Sequence, residues 1–152
     1  MGCDIHYVLE QNMAAKDAVT PLWVGVACSS NLPEPEGLKI GGLNWSLDTN
    51  KLWATYKLRS RDYAFFAALA GVRGDGPVPR GVPDDVSVWA RKEIDDWDSD
   101  GHSHSWHTAV EFIHKYCEAN AIDPIKIIDV FKSHTGFHGD INDFRFIFWF
   151  DN

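Results

Sequence analysis

Phe144-Arg-Phe-Ile-Phe-Trp-Phe150 decides how this chain is read. Phe144, Phe146, Phe148 and Phe150 recur at period two and fall on one face of a strand. Arg145, Ile147, Trp149 and Asp151 fall on the other. Both faces are largely apolar, which places the strand at the centre of a sheet rather than at its edge. The first strand is expected over Cys3 to Glu10, where Ile5, Tyr7 and Leu9 alternate with Asp4, His6, Val8 and Glu10, and its pairing with the last strand is one arrangement that the sequence allows without fixing its direction. Antiparallel pairing of the two would bring Asp151 and Asn152 beside Asp4 and His6. Parallel pairing would bring Arg145 there instead.

Working outward, Pro21 to Cys28 reads as a second strand, with Trp23, Val24 and Val26. Ser29 to Asn50, rich in Pro, Gly and Asn, reads as a long connection with room for a short hairpin around Leu43 to Leu47. Lys51 to Leu58 is a further strand candidate. Asp62 to Ala70 reads as a helix that buries Phe65, Phe66 and Leu69 and stops at Gly71. Asp84 or Asp85 is placed to cap a helix running to about Asp96 that buries Val88, Trp89 and Ile94. Thr108 and Glu111 match a Thr-x-x-Glu capping box. Behind them Ala109, Phe112, Ile113, Tyr116 and Cys117 form a helical stripe. Asp123-Pro124 opens a last helix with Ile127, Ile128 and Phe131 inward. The order predicts an α+β fold: a small, mainly antiparallel sheet including both terminal strands, with about four helices on one face of it.

The 152 residues suit a single domain. Lys and Arg number 14 against 22 Asp and Glu, a net charge of −8. That balance argues against duplex DNA as a partner, since basic residues must displace its counterions. Aromatics reach 13%, more than a disordered chain carries. Cys3, Cys28 and Cys117 are scattered, without a CxxC pair, and read as reduced thiols of a cytoplasmic protein. No apolar run is long enough to span a membrane, and no signal peptide is expected. Met1-Gly-Cys has His6 where a myristoylation signal has Ser or Thr.

Chemistry concentrates between Asp96 and His107, where Asp96, Asp98, Asp100, His102, His104 and His107 are all potential metal ligands. Asp-x-Asp-x-Asp-Gly opens like a calcium loop. The pattern then fails, because His107 stands where a bidentate Glu belongs, so calcium is disfavoured. In an extended chain His102 and His104 project to one side. Asp4 and His6 repeat that spacing. Together with Asp151 these five residues are the expected ligands of a divalent Zn, Mn or Fe ion, which would lower the pKa of a bound water. The competing reading makes the histidines helix caps and partners of serine. Asp4, His6 and His104 are the candidate catalytic groups, and a carboxylate with an imidazole serves acid–base chemistry without metal as well.

Arginine recognises phosphate bidentately. Arg61 precedes a helix and Arg80 sits in the loop Pro79-Arg-Gly81. These two are the candidate phosphate-binding groups, with Trp106 able to stack on a base or sugar. Trp45 and Trp97 offer the same stacking. Arg145, in an aromatic strand, needs a carboxylate such as Asp151. No nucleophile elbow, Walker A or Rossmann pattern is present.

Five blocks have a familiar look: Met1-Gly-Cys-Asp-Ile-His6; Arg61-Asp-Tyr-Ala-Phe-Phe66 with Leu69-Ala-Gly-Val-Arg73; Pro79-Arg-Gly-Val-Pro-Asp-Asp-Val-Ser87; Asp100-Gly-His-Ser-His-Ser-Trp106; and Phe148-Trp-Phe-Asp-Asn152. Together they resemble a family of small, mostly uncharacterised proteins encoded by bacteriophages and some bacteria. The resemblance implies a phage or prophage setting and the host cytoplasm, and no particular activity. Two functions are compatible with the residues. One is a metal-dependent hydrolase of a nucleotide or other phosphate ester. The other is a non-catalytic phage accessory protein that sequesters a nucleotide signal or inhibits a host protein.

Overall fold

The computed structural model describes residues 2–29, 61–135 and 139–152. Its elements run β1 (Ile5–Asn12), β2 (Trp23–Cys28), α1 (Tyr63–Ala70), α2 (Val88–Trp97), β3 (His102–Thr108), α3 (Ala109–Asn120), α4 (Pro124–Thr135) and β4 (Phe144–Phe150). The fold is α+β. The strands form an antiparallel sheet in the order β2-β1-β4-β3. The expected hairpin at 43–47 and strand at 51–58 lie outside the described residues, as does Trp45.

β4 is internal, as its two apolar faces require, and all seven of its residues are buried. Ile5 pairs with Phe150 and Gln11 with Phe144, so β1 and β4 are antiparallel and Asp4 meets Asp151. On one face Tyr7, Leu9 and the four phenylalanines pack with Phe65, Phe66, Phe112, Ile113, Tyr116, Ile127 and Phe131 of α1, α3 and α4. Phe112 stacks on Phe146 at 4.1 Å between ring centroids. The capping box at Thr108 and Glu111 forms as its residues predict. Gly71 ends α1 in the left-handed conformation at φ 67°. Asp62 caps α1 and accepts a hydrogen bond from Asn120 Nδ2 at 2.7 Å, tying α1 to α3.

Three features depart from the sequence reading. The second face is also covered: Trp89, Ala90 and Ile94 of α2 pack with Val8, Cys28, Ile147 and Trp149. Gly25 makes this possible, because a Cβ there would come within 2.8 Å of the Trp89 ring. The cap of α2 is Ser87, whose side chain accepts from Ala90 N, rather than Asp84 or Asp85. Its first residue, Val88, faces outward instead of being buried.

Arg145 pairs with Glu10, not with Asp151. The two stand opposite each other across β1 and β4, with Nε 2.7 Å from Oε1. Glu10 is fully buried, and its second oxygen accepts from Ser87 N at 2.5 Å. Arg145 also reaches Asp85 Oδ1 at 3.0 Å and lies 3.9 Å from the Trp23 ring centroid. Every strong partner of both charges is thus supplied within the protein, which burial of an ion pair demands. Glu10→Ala or Arg145→Ala leaves the other charge stranded, and urea denaturation is expected to show a loss of about 3–5 kcal/mol. Asp85→Asn, at the exposed end of the same network, should lose about 1 kcal/mol or less.

His107 has a different role from a metal ligand. It is 3% exposed, lies against Phe148, and hydrogen-bonds the Leu69 carbonyl. Burial first, then the nearby Arg80 charge, pushes its pKa down to about 4. The unfolded chain therefore binds a proton between about pH 6.5 and 4 that the folded chain refuses, and stability falls as pH drops through that window. On the order of 2 kcal/mol should be lost from this group by pH 4.5. Urea midpoints at pH 7 and 4.5 test this, since His107→Leu should remove that part of the pH dependence.

Candidate functional site

The antiparallel register of β1 and β4 gathers Asp4, His6 and Asp151 at one end of the sheet. His6 Nε2 lies 3.1 Å from Asp151 Oδ2. Asp151 Oδ1 accepts the Asp4 backbone N–H at 2.8 Å, and Asp151 N donates to Asp4 O at 3.2 Å. Burial alone would raise the Asp151 carboxyl; the hydrogen bonds from Asp4 and His6 outweigh it and hold the pKa below its ordinary value. An ionised Asp151 only accepts, so His6 Nε2 carries the hydrogen, and in the neutral ring Nδ1 presents a lone pair. Nδ1 takes no partner among the described residues.

Aromatic rings fix the imidazole. The Trp97 ring, at the end of α2, lies 4.0 Å from His6, and Trp149 lies 6.2 Å away on the adjacent strand. His104 lies 6.2 Å from the far side of the row, so His6, Trp149 and His104 form a line of rings across β1, β4 and β3. A cleft of about 390 Å³ opens between β1 and α2, lined by Asp4, His6, Tyr7, Glu93, Trp97 and Trp149 among others. A second, of about 300 Å³, lies across Trp97 and is lined by Ser99, Asp100, Asp151 and Asn152. No Lys or Arg lines either cleft among the described residues.

The other expected site residues are distributed differently. His102 and His104 do not share a side. His102 pairs with Phe150 but Ser105 with Phe148, so β3 carries one extra residue, and Ser103 takes φ 53° to accommodate it. The bulge leaves His102 beside Phe150 and turns His104 onto Trp149. His102 is fully used, bonding Ser103 Oγ at 2.9 Å and the Asp151 carbonyl at 3.3 Å. His104 Nε2 is buried without a partner, and burial followed by the neighbouring His102 lowers its pKa. The calcium-like run is taken up by secondary structure. α2 continues to Trp97, Asp96 pairs with Lys92 one turn back, and Asp98–Asp100 form a 3-10 turn. Among the described residues, no three His, Cys, Asp or Glu side chains come together in an arrangement that could hold a metal ion.

Arg61 and Arg80 are separated. Arg61 Nε lies 3.3 Å from Asp4 Oδ1 at the cleft end. Arg80 instead bonds Glu111 through both Nη atoms, at 3.1 and 3.3 Å, and lies over the Trp106 ring. Trp106 pairs with Ile147, four residues along β4 from Asp151, or ~13 Å. Arg80 lowers the Glu111 pKa to about 2. Glu93 and Trp149, both in the cleft wall, were not singled out by motif. The signal for Trp149 was its place on the same strand face as Arg145 and opposite His6.

No protein-family description, no curated protein and no solved structure matches this chain. Among the described residues, no helix is long and apolar enough to cross a membrane.

Gly101 closes the cleft end of β3. A Cβ there would lie 3.2 Å from Trp149 Cδ1, 3.3 Å from Trp97 Cβ and 3.4 Å from His104 Nε2. Its backbone, at φ −90°, admits any residue, so Gly101→Ala reports packing alone. The expected loss is about 1–2 kcal/mol by urea denaturation, with a changed tryptophan emission. An alanine variant as stable as the parent, with the same emission, would show that the three rings are not in tight register.

Proposed function

We propose that the protein is a hydrolase of a nucleotide or other phosphate ester, with the His6–Asp151 pair as its general base. The observation that carries this reading is an imidazole oriented by a carboxylate, its second nitrogen free, at the wall of a ligand-sized cleft. Asp151 holds the tautomer, and Nδ1 is the atom available to take a proton from water. Asp4 and Glu93 disfavour a phosphate deep in the cleft. Arg61, more than half exposed beside Asp4, is the cation near enough to meet it at the rim. A divalent Zn, Mn or Fe ion arriving with the phosphate would find Asp4 there, while His102 and His104 are turned elsewhere. A phage or prophage setting in a host cytoplasm remains part of this reading through the resemblance of the sequence blocks.

The second reading, a non-catalytic binder of a nucleotide signal or a host protein, is favoured by the absence, among the described residues, of three side chains placed to hold a hydrolytic metal; Arg80, held by Glu111, favours neither. Phosphate release from a panel of nucleotides and phosphate monoesters, with and without added Zn²⁺ or Mn²⁺, separates the two. His6→Ala is expected to lower kcat by about 10²-fold or more. Asp151→Asn should lower it less and leave KM nearly unchanged. Absence of turnover across the panel, or full activity in His6→Ala, would sink the hydrolase and leave the binder.

A further inference from the structure

The bulge in β3 gives Ser103 a neighbour that a regular strand would deny it. Successive side chains of a strand point to opposite faces. With Ser103 at φ 53°, its hydroxyl instead meets the preceding ring, and Ser103 Oγ lies 2.9 Å from His102 Nδ1. The other ring nitrogen, Nε2, lies 3.3 Å from the Asp151 carbonyl oxygen. A carbonyl only accepts, so Nε2 carries the hydrogen. In the neutral ring Nδ1 is then the acceptor for the Ser103 hydroxyl. A hydroxyl that donates to an imidazole, itself oriented by a third group, is the arrangement of an activated nucleophile. The left-handed backbone of a non-glycine residue is strained, and such strain gathers at functional sites. Ser103 and His102 are both only partly buried, so a reactant in solution can reach them.

We infer that Ser103 is a nucleophile for acyl transfer from a small uncharged ester, with His102 as its general base. This goes beyond the phosphate-ester reading and uses neither His6 nor the 390 Å³ cleft. Asp151 joins the pair to the 300 Å³ cleft, where Asp100 and Asp151 are the charged lining residues. Their negative charge opposes a phosphate and leaves a neutral ester as the electrophile that fits. Ser103 Oγ attacks the ester carbonyl carbon, and its proton passes to His102 Nδ1. The tetrahedral adduct collapses by breaking the bond to the ester's alkoxy oxygen, which leaves as an alcohol with the proton from Nδ1. Water then attacks the acyl carbon, gives a proton to Nδ1, and the carboxylic acid departs. Ser103 Oγ recovers its hydrogen from Nδ1. Through both halves the Asp151 carbonyl holds Nε2–H, which keeps Nδ1 turned toward the serine.

The experiment treats the full chain with an alkyl fluorophosphonate and reads the adduct by intact and peptide mass spectrometry, beside stopped-flow release of nitrophenol from p-nitrophenyl acetate. One adduct per chain is expected, at Ser103, with a nitrophenol burst of matching size. Ser103→Gly removes the hydroxyl and suits the positive φ, so it should fold and lose both signals. His102→Gln should slow labelling by about 10²-fold or more. Ser133, an exposed serine of α4 that donates to the Val130 carbonyl, has no imidazole partner, and Ser133→Ala should label like the parent. No adduct at Ser103, equal labelling of Ser103 and Ser133, or a burst that survives in Ser103→Gly would overturn the inference. If His102→Gln does not fold, the Ser103→Gly result decides the matter.

Discussion

The buried pair of Glu10 and Arg145 governs where everything else in the molecule falls. The two residues face each other across β1 and β4, on the sheet face that α2 covers. A slip of one residue would turn Glu10 into the phenylalanine layer and strand Arg145 among aromatic side chains. The cost of unpaired charge in such surroundings makes one register far more favourable than its neighbours. That register, carried four residues along, sets His6 opposite Trp149 and brings Asp151 within reach of the imidazole. The Glu10 carboxylate also receives the Ser87 amide, so it anchors the start of α2. α2 ends at Trp97, against His6. One ion pair thus indexes both walls of the cleft, from the opposite end of the sheet.

The site is therefore a product of a two-sided sheet. The phenylalanine face is closed by α1, α3 and α4, and His107, Gln11 and Ser105 are among its buried polar side chains. Among the described residues the other face is covered by α2, and it is where this helix leaves the sheet that the cleft opens. His6, Trp149 and His104 come from three different strands and meet only because the strands are neighbours. Asp151 lies just past the end of β4, where the ladder stops and its side chain is released from the strand's alternation. An acidic lining and aromatic walls follow from these placements.

Much of the fold was readable from local pattern. Period-two phenylalanines are hard to reconcile with anything but a strand, and two apolar faces require it to be inside the sheet. Thr108 with Glu111, and Gly71 after an apolar turn, are local devices that act through neighbouring backbone, so they were legible as well. The pairing of Asp4 and His6 with Asp151 was legible once the terminal strands were taken as antiparallel. His102 to His107 was read for its ligands, and its spacing was correct only for a regular strand. The positive φ at Ser103 broke that regularity, and no short-range pattern announces a bulge built on serine rather than glycine. The helix end expected at about Asp96 falls at Trp97, so Asp96 belongs to α2 as its pattern suggests, and the calcium-like run of Asp96, Asp98 and Asp100 is divided between that helix and the 3-10 turn. Arg145 found Glu10 because cross-strand partners are set by register, which no stretch of sequence contains by itself.

The bulge in β3 has a consequence for how the protein behaves among its own copies. β3 forms an outer strand of the described sheet, and an outer strand with free peptide groups is a template on which another chain can add. Here the extra residue disturbs the regular spacing of those groups. The segment Arg80-Gly81 then occupies two of them, Gly81 N donating to the His104 carbonyl at 3.0 Å and Arg80 Nη1 to the Trp106 carbonyl at 3.2 Å. A strand as aromatic as β4 lies one position inward and would be dangerous if exposed to sheet growth. The kinked, partly capped border beside it guards against fibrillar association.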